Sequence, residues 1–533
     1  MAKPAPEVIR LSPAQLDELI AQLRAHLPDA LFELVHAALR TLHWVLEAME
    51  LKTTTIARLK RVLFGFKSEK TRQIFPEAAD KPDEAPADSS APPSHKPKRP
   101  GHGRHGAVAY TGAHQVHIPH PHLQAGCPCP ECGGTLSEKT PARVVSIQAQ
   151  TLLSATVWNA QSLRCNRCQK VYTAPLPPQA QLAKYDPAVG DMLGMSRYGM
   201  GVAMYRLAQW QQDLGVPLPA STQWELMAVA AETRQPIHQA MIQVAAQATL
   251  FHTDDTTMRV QSLHREIVEA GDDAERTGIF TTGIIACLDK GLRVAIYLTG
   301  QRHAGENLSQ VLQRRAAGLA KPLLMCDGLS RNVPKEFEVI LCNCAAHARR
   351  QFTDVWEAFP TECRQVLENL REVYRHDAQT RQMQLTADQR LSFHQEKSQP
   401  IMDQLQRWMI EQIDQKRVEP NSGLGQAIQY MLKRWDALTR FLKVPGAPLD
   451  NNICEIALKF AIRHRKNSLS YKTLRGAAVG DFFMGVIQTC RLNKANPVDY
   501  FAALRQHAKL ALENPMAWLP WNYRQTLASL DTG

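Results

Sequence analysis

Four cysteines and three carboxylates are the residues of this chain whose types and spacing can carry chemistry. CPCPECGG places Cys129 and Cys132 three apart, and CNRC places Cys165 and Cys168 three apart. Each Cys-x-x-Cys turn can aim two thiolates at one ion. Two such turns make a closed, tetrahedral and therefore structural zinc site. The 33-residue interval from Cys132 to Cys165 is longer than in compact zinc modules, but its filling, RVVSIQAQTLLSATVWNAQSLRC, is strand-like. A hairpin there can bring the two turns together. The alternative is four reduced thiols at chance spacing. Cys127 is a spare that replaces Cys129 only by distorting the turn. Such a module either holds nucleic acid or fixes the position of a domain.

The carboxylates are Asp254, Asp327 and Glu455. Asp254 falls near the centre of a predicted strand, Asp327 at the end of a later one, and Glu455 just inside a predicted helix that Asp450 or Asn451 can cap. Groups so placed can converge at one edge of a sheet. Three facing carboxylates repel one another unless cations lie between them. Mg²⁺ suits such a set, because it takes few carboxylates and keeps waters for substrate phosphates. Two ions can activate an attacking oxygen and stabilise a leaving one. By themselves the three are weakly marked, since the chain has 51 Asp plus Glu and a lone Asp at a strand end is more often a cap or surface group.

The elements that must position these residues can be read in order. Residues 11–75 read as a helical, coiled-coil oligomerisation segment. Leu42, Met49, Ile56 and Leu63 recur every seven residues, with Leu39 and Leu46 ahead of the first two, and Thr53 and Lys60 interrupt the second position. A hairpin packed on itself is the alternative. Residues 76–125 read as a flexible linker, first Pro/Ala/Asp/Ser-rich and then basic. His114, His117, His120 and His122 within it have ligand-like spacing on a Pro-containing loop, which favours no metal. The zinc-binding domain spans 126–178.

Residues 183–248 read as a helical DNA-binding domain. Inside it MYRLAQWQQDLG and VPLPASTQWELMAVAAE make two helices around Gly215, capped by Ser221 or Thr222, like a helix-turn-helix. Strands are expected at 249–260, 278–288 and 292–299, with a turn at Asp289-Lys290-Gly291, and two short ones at 321–328 and 337–344. A helix is expected at 305–317. The first part of an α/β core thus covers 249–358, a helical insertion 359–445, and the second part 446–505, with helices near 452–465 and 475–492. A tail fills 506–533. The fold class is multidomain α+β.

The bulk numbers agree with a nucleic-acid partner. The 533 residues are 44% hydrophobic, with a net charge of +11 and a pI near 9.1. No stretch approaches the ~20 apolar residues of a membrane helix, and MAKPAPEVIRLSPAQ lacks a signal-peptide core. The expectation is a cytoplasmic, nucleoid-associated protein that engages no membrane. Cysteines there point to metal or buried thiols.

Several motifs, in order, resemble transposases of the insertion-sequence 66 family. HTDDTTMRV resembles the first catalytic motif and LLMCDG the second. CNCAAHARRQF resembles the Cys-x-x-His-Ala-Arg-Arg stretch, and LDNNICEIALKFAIRHRKNSL the third motif. FGFKSEK and the paired cysteine turns match the N-terminal and zinc segments. The likeness covers about 30–520.

The resemblance implies a ribonuclease-H-like catalytic core with a helical insertion before the glutamate. The 128-residue interval from Asp327 to Glu455 leaves room for it. It implies Asp254, Asp327 and Glu455 as ligands of two Mg²⁺ ions, with Mn²⁺ as a substitute, beside one structural Zn²⁺. The implied reaction is phosphoryl transfer on double-stranded DNA, at transposon ends and target, by water and then by a 3′ hydroxyl. Homodimers or higher oligomers and accessory proteins of the same element are implied partners.

Three departures stand out: Asp255 where Glu is usual, Ile456 and Lys459 where Arg is usual, and Ser468 where Trp is common. His347, Arg349, Arg350, Arg463, Arg465 and Lys466 are the expected DNA contacts, against solvated or capping roles. Cys342 and Cys344 near His347 suggest a second zinc only weakly, since neighbours on a strand face opposite ways. The rival readings are a catalytically silent, transposase-derived DNA-binding protein and a zinc-dependent scaffold.

Overall fold

The protein is described by a computed structural model. It describes residues 13–28, 31–33, 35, 36, 39, 124–128, 130–132, 134–137, 152–164, 171–178 and 183–531. The chain divides into two units, Met1–Gly103 and Arg104–Gly533. In the first, a helix at Pro13–His26 buries Leu16, and Phe32 is buried and stacks on His36. The heptad positions from Leu42 to Leu63, the linker histidines and FGFKSEK lie outside the described residues.

In the second unit, β1 (Ser162–Arg164) and β2 (Val171–Thr173) form an antiparallel hairpin around residues 165–170. A five-stranded sheet follows. It contains β3 (Leu250–Thr257), β4 (Phe280–Cys287), β5 (Arg293–Gly300), β6 (Leu323–Cys326) and β7 (Ile340–Asn343), in the spatial order β5-β4-β3-β6-β7. β3, β4 and β5 are antiparallel neighbours, whereas β6 and β7 run parallel to β3.

The connections explain the directions. β4 turns into β5 through Lys290 and Gly291, both at positive φ, as a tight hairpin requires. The connection from β5 crosses over to place β6 beside β3, and it carries the Ala304–Leu312 helix, as a crossover between strands of the same direction needs. The chain is therefore mixed α and β, and β4 is buried along nearly its whole length.

Helices clothe both faces. Side-chain alternation puts Asp254 opposite Gly283 and Asp255 opposite Thr282, on opposite sides of the sheet. On the Asp254 side lies the Asn452–Ser468 helix. It comes so close that a Cβ on Gly283 would stand 3.0 Å from Leu458 Cδ2. On the Asp255 side lies the Ala304–Leu312 helix. The Leu474–Leu492 helix runs along the outer edge of β5. There Asn493 Oδ1, Thr489 Oγ1 and Asp481 Oδ2 accept the main-chain N–H groups of Arg293, Ala295 and Thr299. At the opposite edge Arg440 Nε donates to Leu341 O.

The segment 183–248 is helical with breaks: Ala188–Gly194, a π-helical turn Met195–Met200, Met204–Asp213, Ala220–Glu232 and Gln235–Ala245. Gly215, at φ +72°, lies in the turn after Met204–Asp213. The expected caps are not where the sequence put them. The next helix begins at Ala220 after Pro219, so Ser221 and Thr222 lie inside its first turn and cap nothing.

Asp191 is buried between Arg234 and Arg505, at 3.0 and 3.1 Å, which ties the Ala188–Gly194 helix to the start of Gln235–Ala245 and to a later helix, Pro497–Gln506. The long interval before Glu455 is filled by helices at Pro360–Gln382, Ala387–Lys397, Gln399–Asp414 and Gly423–Lys433. Among the described residues no helix is long and apolar enough to cross a membrane.

Candidate active site

The register of β3 with β6 pairs His252 with Met325. Carried two residues further, it sets Asp254 level with Asp327. Each aspartate is fixed through one oxygen. Asp254 Oδ1 accepts the N–H of Asp255 at 2.8 Å. Asp327 Oδ1 accepts the N–H of Leu329 at 3.1 Å and Nδ2 of Asn332 at 2.7 Å. Gly328, at φ +84°, turns the chain immediately after Asp327.

Glu455 comes from the first turn of the Asn452–Ser468 helix. That helix is anchored by Asn451, which is fully buried. Asn451 Nδ2 donates to Thr253 O at 2.9 Å, and its Oδ1 accepts Nδ1 of His252 at 3.1 Å. Burial holds the His252 imidazole down at about 4, so the ring is neutral and can donate. Because the Asn451 side chain is spent on β3, it does not cap the helix. Asp450 Oδ1 takes that part, accepting the N–H of Asn452 at 3.1 Å. Further along, Tyr297 donates to Ala457 O, and Cys454 Sγ to Gly283 O.

The three carboxylates are close enough to feel one another. Burial pushes the Asp254 carboxyl up to about 7; the Asp255 N–H bond opposes the rise, and the charges of Asp327, Glu455 and Asp255 add to it. Glu455 Oε1 is shielded from water and has no hydrogen-bond partner. Partly buried, mutually repelling carboxylates with an unsatisfied oxygen fit a divalent cation, which would relieve both costs.

The neighbouring Asp255 has a different occupation. Its Oδ1 accepts Thr282 Oγ1 at 2.6 Å, and its Oδ2 accepts the N–H of Ala304 at 3.0 Å and faces His303 Nδ1 at 3.3 Å. It holds the Ala304–Leu312 helix to the sheet and stays on the far side from Asp327.

The expected DNA contacts separate into groups. His347 Nδ1 stands 3.7 Å from Glu455 Oε1, in the first turn of the Ala345–Asp354 helix. Arg349 and Arg350 are half-buried on the same helix. Arg463 is exposed but donates to Gly199 O, and Arg465 is tied to Thr256 and Thr257 at the end of β3. Lys466 is exposed. Ile456 is 54% exposed, an apolar side chain on the open face of the glutamate helix.

Sequence reasoning missed two residues beside Asp327. Tyr430 donates to Asp327 O at 3.0 Å, and the Arg434 guanidinium stacks on its ring at 4.1 Å. They come from the end of the helical segment, 103 residues away from Asp327 for Tyr430, and no local pattern marks them.

Of the expected zinc ligands, Cys129, Cys165 and Cys168 lie outside the described residues, and Cys132 is exposed. Around the first turn Pro128 bridges to Thr135, and Gly126 and Cys127 exchange main-chain bonds with Leu136. Both cysteine pairs are thus flanked by short antiparallel pairings.

A family model described as "Transposase IS66 family" matches residues 187–479, a span that holds Asp254, Asp327, His347 and Glu455. Two proteins of Sinorhizobium fredii (strain NBRC 101917 / NGR234) are similar over most of their length. The uncharacterized protein y4hP is 25% identical over 90% of each chain. The uncharacterized protein y4jD is 24% identical over 88% of this chain and 94% of its own. No solved structure matches the chain.

Proposed function

The chain belongs to the IS66 family of transposases, and from that premise we propose that it cuts and joins DNA through Asp254, Asp327 and Glu455 on a ribonuclease-H-like core. The sheet order supports the core: three antiparallel strands followed by two parallel ones, with the first strand central. The observation that carries the triad is the convergence of its members. Asp254 lies on β3, Asp327 follows the last residue of the neighbouring β6, and Asn451 fastens the helix of Glu455 to the residue before Asp254.

In this reading the three carboxylates hold two Mg²⁺ ions, for which Mn²⁺ can substitute. When bound, the ions supply charge to the attacking and leaving oxygens of a phosphoryl transfer. The rest is done by the chain. Asp255 N–H, Leu329 N–H and Asn332 fix the two aspartates, and Asn451 sets the position of Glu455. Arg434 and Tyr430 beside Asp327, with Lys466 outward on the glutamate helix, suit contact with DNA phosphates.

One Zn²⁺ on Cys129, Cys132, Cys165 and Cys168 would fasten a module that positions DNA. The partners are double-stranded transposon ends and target, a second copy of the chain, and accessory proteins of the element. The Ala220–Glu232 helix is a poor reader of DNA. Its exposed residues are Ala220, Ser221, Glu225, Val229 and Glu232, of which the only charged ones are acidic.

The test is Mg²⁺-dependent cleavage and strand transfer on the element's own end sequences. Asp254→Asn, Asp327→Asn and Glu455→Gln should each abolish both reactions while the chain stays folded and binds DNA. Activity retained in any of the three would overturn the triad. The exposed Ile456, where the family usually has Arg, favours one second reading, a DNA-binding protein that has lost catalysis. That reading requires the parent chain itself to bind the ends and cut nothing with Mg²⁺ or Mn²⁺.

A further inference from the structure

We propose that Cys344, His347 and Glu455 form a second zinc site, in which zinc withdraws the glutamate from the magnesium-binding set. The proposal rests on the assignment of Glu455 above for its consequence, but not for its geometry.

Cys344 is the last residue before the Ala345–Asp354 helix, and His347 lies in that helix's first turn. Their Cys-x-x-His spacing presents sulfur and imidazole on the same side. Glu455 reaches the same place from the Asn452–Ser468 helix. One ligand atom of each residue lies within 4.8 Å of the other two.

Two of these atoms are anomalous without an ion. His347 Nδ1 and Glu455 Oε1 are both shielded from solvent, and neither has a hydrogen-bond partner. They stand 3.7 Å apart, too far to bond each other. Buried polar atoms are nearly always satisfied, so two orphans facing one gap call for a third party. Cys344 Sγ borders the gap, is buried, and accepts the N–H of Asn451 at 3.2 Å. Burial pushes the Cys344 thiol up to about 12, and that donor opposes the rise.

The donor chemistry selects the ion. A thiolate, an imidazole and one carboxylate suit Zn²⁺, whereas Mg²⁺ takes hard oxygen ligands. Three protein ligands leave a fourth position for water. The atoms need to close by about 1 Å to reach the spacing of a tetrahedral site, since Zn–S is about 2.3 Å and Zn–N about 2.0 Å. On binding, the Cys344 thiol gives its proton to solvent and the sulfur takes the metal. Asn451 couples the two sites physically: its main-chain N–H holds Cys344 and its side chain holds β3.

The experiment is metal titration of the full-length chain, stripped with a chelator and reloaded with Zn²⁺ or Co²⁺. Bound zinc is counted after dialysis, and cobalt is followed by its sulfur charge-transfer band. The parent should hold one equivalent more than Cys344→Ser or His347→Gln. Glu455→Gln should weaken that equivalent by ~10-fold or more. Cys165→Ser should lose the other equivalent and keep this one.

Added zinc should suppress Mg²⁺-dependent cleavage by the parent, and Cys344→Ser should lift the suppression. If Cys344→Ser does not fold, His347→Gln carries the same comparison. Parental stoichiometry in both folded variants would overturn the site. Failure of the triad would show differently, as cleavage that survives Glu455→Gln, and the zinc count would be unaffected by it.

Discussion

The side-chain amide of Asn451 donates to the main-chain carbonyl of Thr253 across 198 residues of sequence, at 2.9 Å. It thereby sets the start of the glutamate helix against the strand that carries Asp254. Asn451→Asp keeps the shape but removes the donor and buries a carboxylate beside Thr253 O. The expected stability loss is on the order of 3 kcal/mol. Cleavage at saturating Mg²⁺ should fall further than the folded fraction does, because Glu455 is released. Denaturant unfolding and single-turnover cleavage on the same preparation check this. A variant with unchanged turnover would mean that Asn451 supports the fold alone.

Asp254 and Asp255 are adjacent but should fail differently. Asp255→Asn weakens the bonds to Thr282, Ala304 and His303 and should cost roughly 1–3 kcal/mol of stability. Cleavage by the folded fraction should persist. Asp254→Asn should leave the unfolding midpoint near the parent's or raise it, since its buried carboxyl no longer has to ionise beside Asp327 and Glu455. It should remove cleavage. The reverse pattern would place the metal on the other face of the sheet.

Gly283 is where the glutamate helix meets β4. Gly283→Ala puts a methyl 3.0 Å from Leu458 Cδ2 and 3.1 Å from its Cγ, and overpacking of this kind costs about 1–3 kcal/mol. Shortening the partner should relieve it: Gly283→Ala with Leu458→Ala should recover cleavage lost by the single change. Lack of recovery in thermally stable double variants would show that the helix does not transmit the displacement to Glu455.

Asp481 gives a pH signature. Burial pushes its carboxyl up to about 7, while hydrogen bonds from the Thr299 N–H and hydroxyl oppose the rise. The folded protein therefore holds this proton more tightly than the unfolded chain, whose carboxyl has an ordinary value near 3.8. Its contribution to stability is full below about 4 and is lost as pH rises towards 7, with a slope of at most about 1.4 kcal/mol per pH unit. Denaturant unfolding between pH 4 and pH 8 should show a steeper slope in the parent than in Asp481→Asn, which keeps the part that comes from Asp254. An identical slope in both would assign the dependence to other groups.

The strands of the core were legible because their signals are local. Alternating β-branched residues and Asp289-Lys290-Gly291 place β3, β4 and β5 within one to three residues of their observed ends. The apolar runs ending at Asp327 and Asn343 marked β6 and β7. What pattern could not reach depends on contacts between distant segments. The partnership of Glu455 with Asp254 rests on Asn451, which reads from sequence as a cap. Tyr430 and Arg434 read as ordinary helical residues.

In the sequence the cysteine nearest Cys344 is Cys342, two residues before it. The informative neighbour is Glu455, more than a hundred residues on. Arg465, an expected DNA contact, donates through its guanidinium to Thr256 and Thr257 at the end of β3, a link that no local pattern marks. The caps of Ala220–Glu232 were misplaced because Pro219 starts a helix as readily as Ser221 does.

The side chains of Asn493, Thr489 and Asp481 along β5 bear on how copies of this chain can meet. A sheet with a bare margin recruits strands from other molecules, in ordered assembly or in aggregation. Here one margin is stoppered by a helix lying lengthwise along it, and Arg440 reaches the last strand at the other. Sheet-to-sheet extension between molecules is thereby disfavoured at both margins. Copies of this chain that associate would join through helices or loops, and the five-stranded sheet would stay a separate unit inside each.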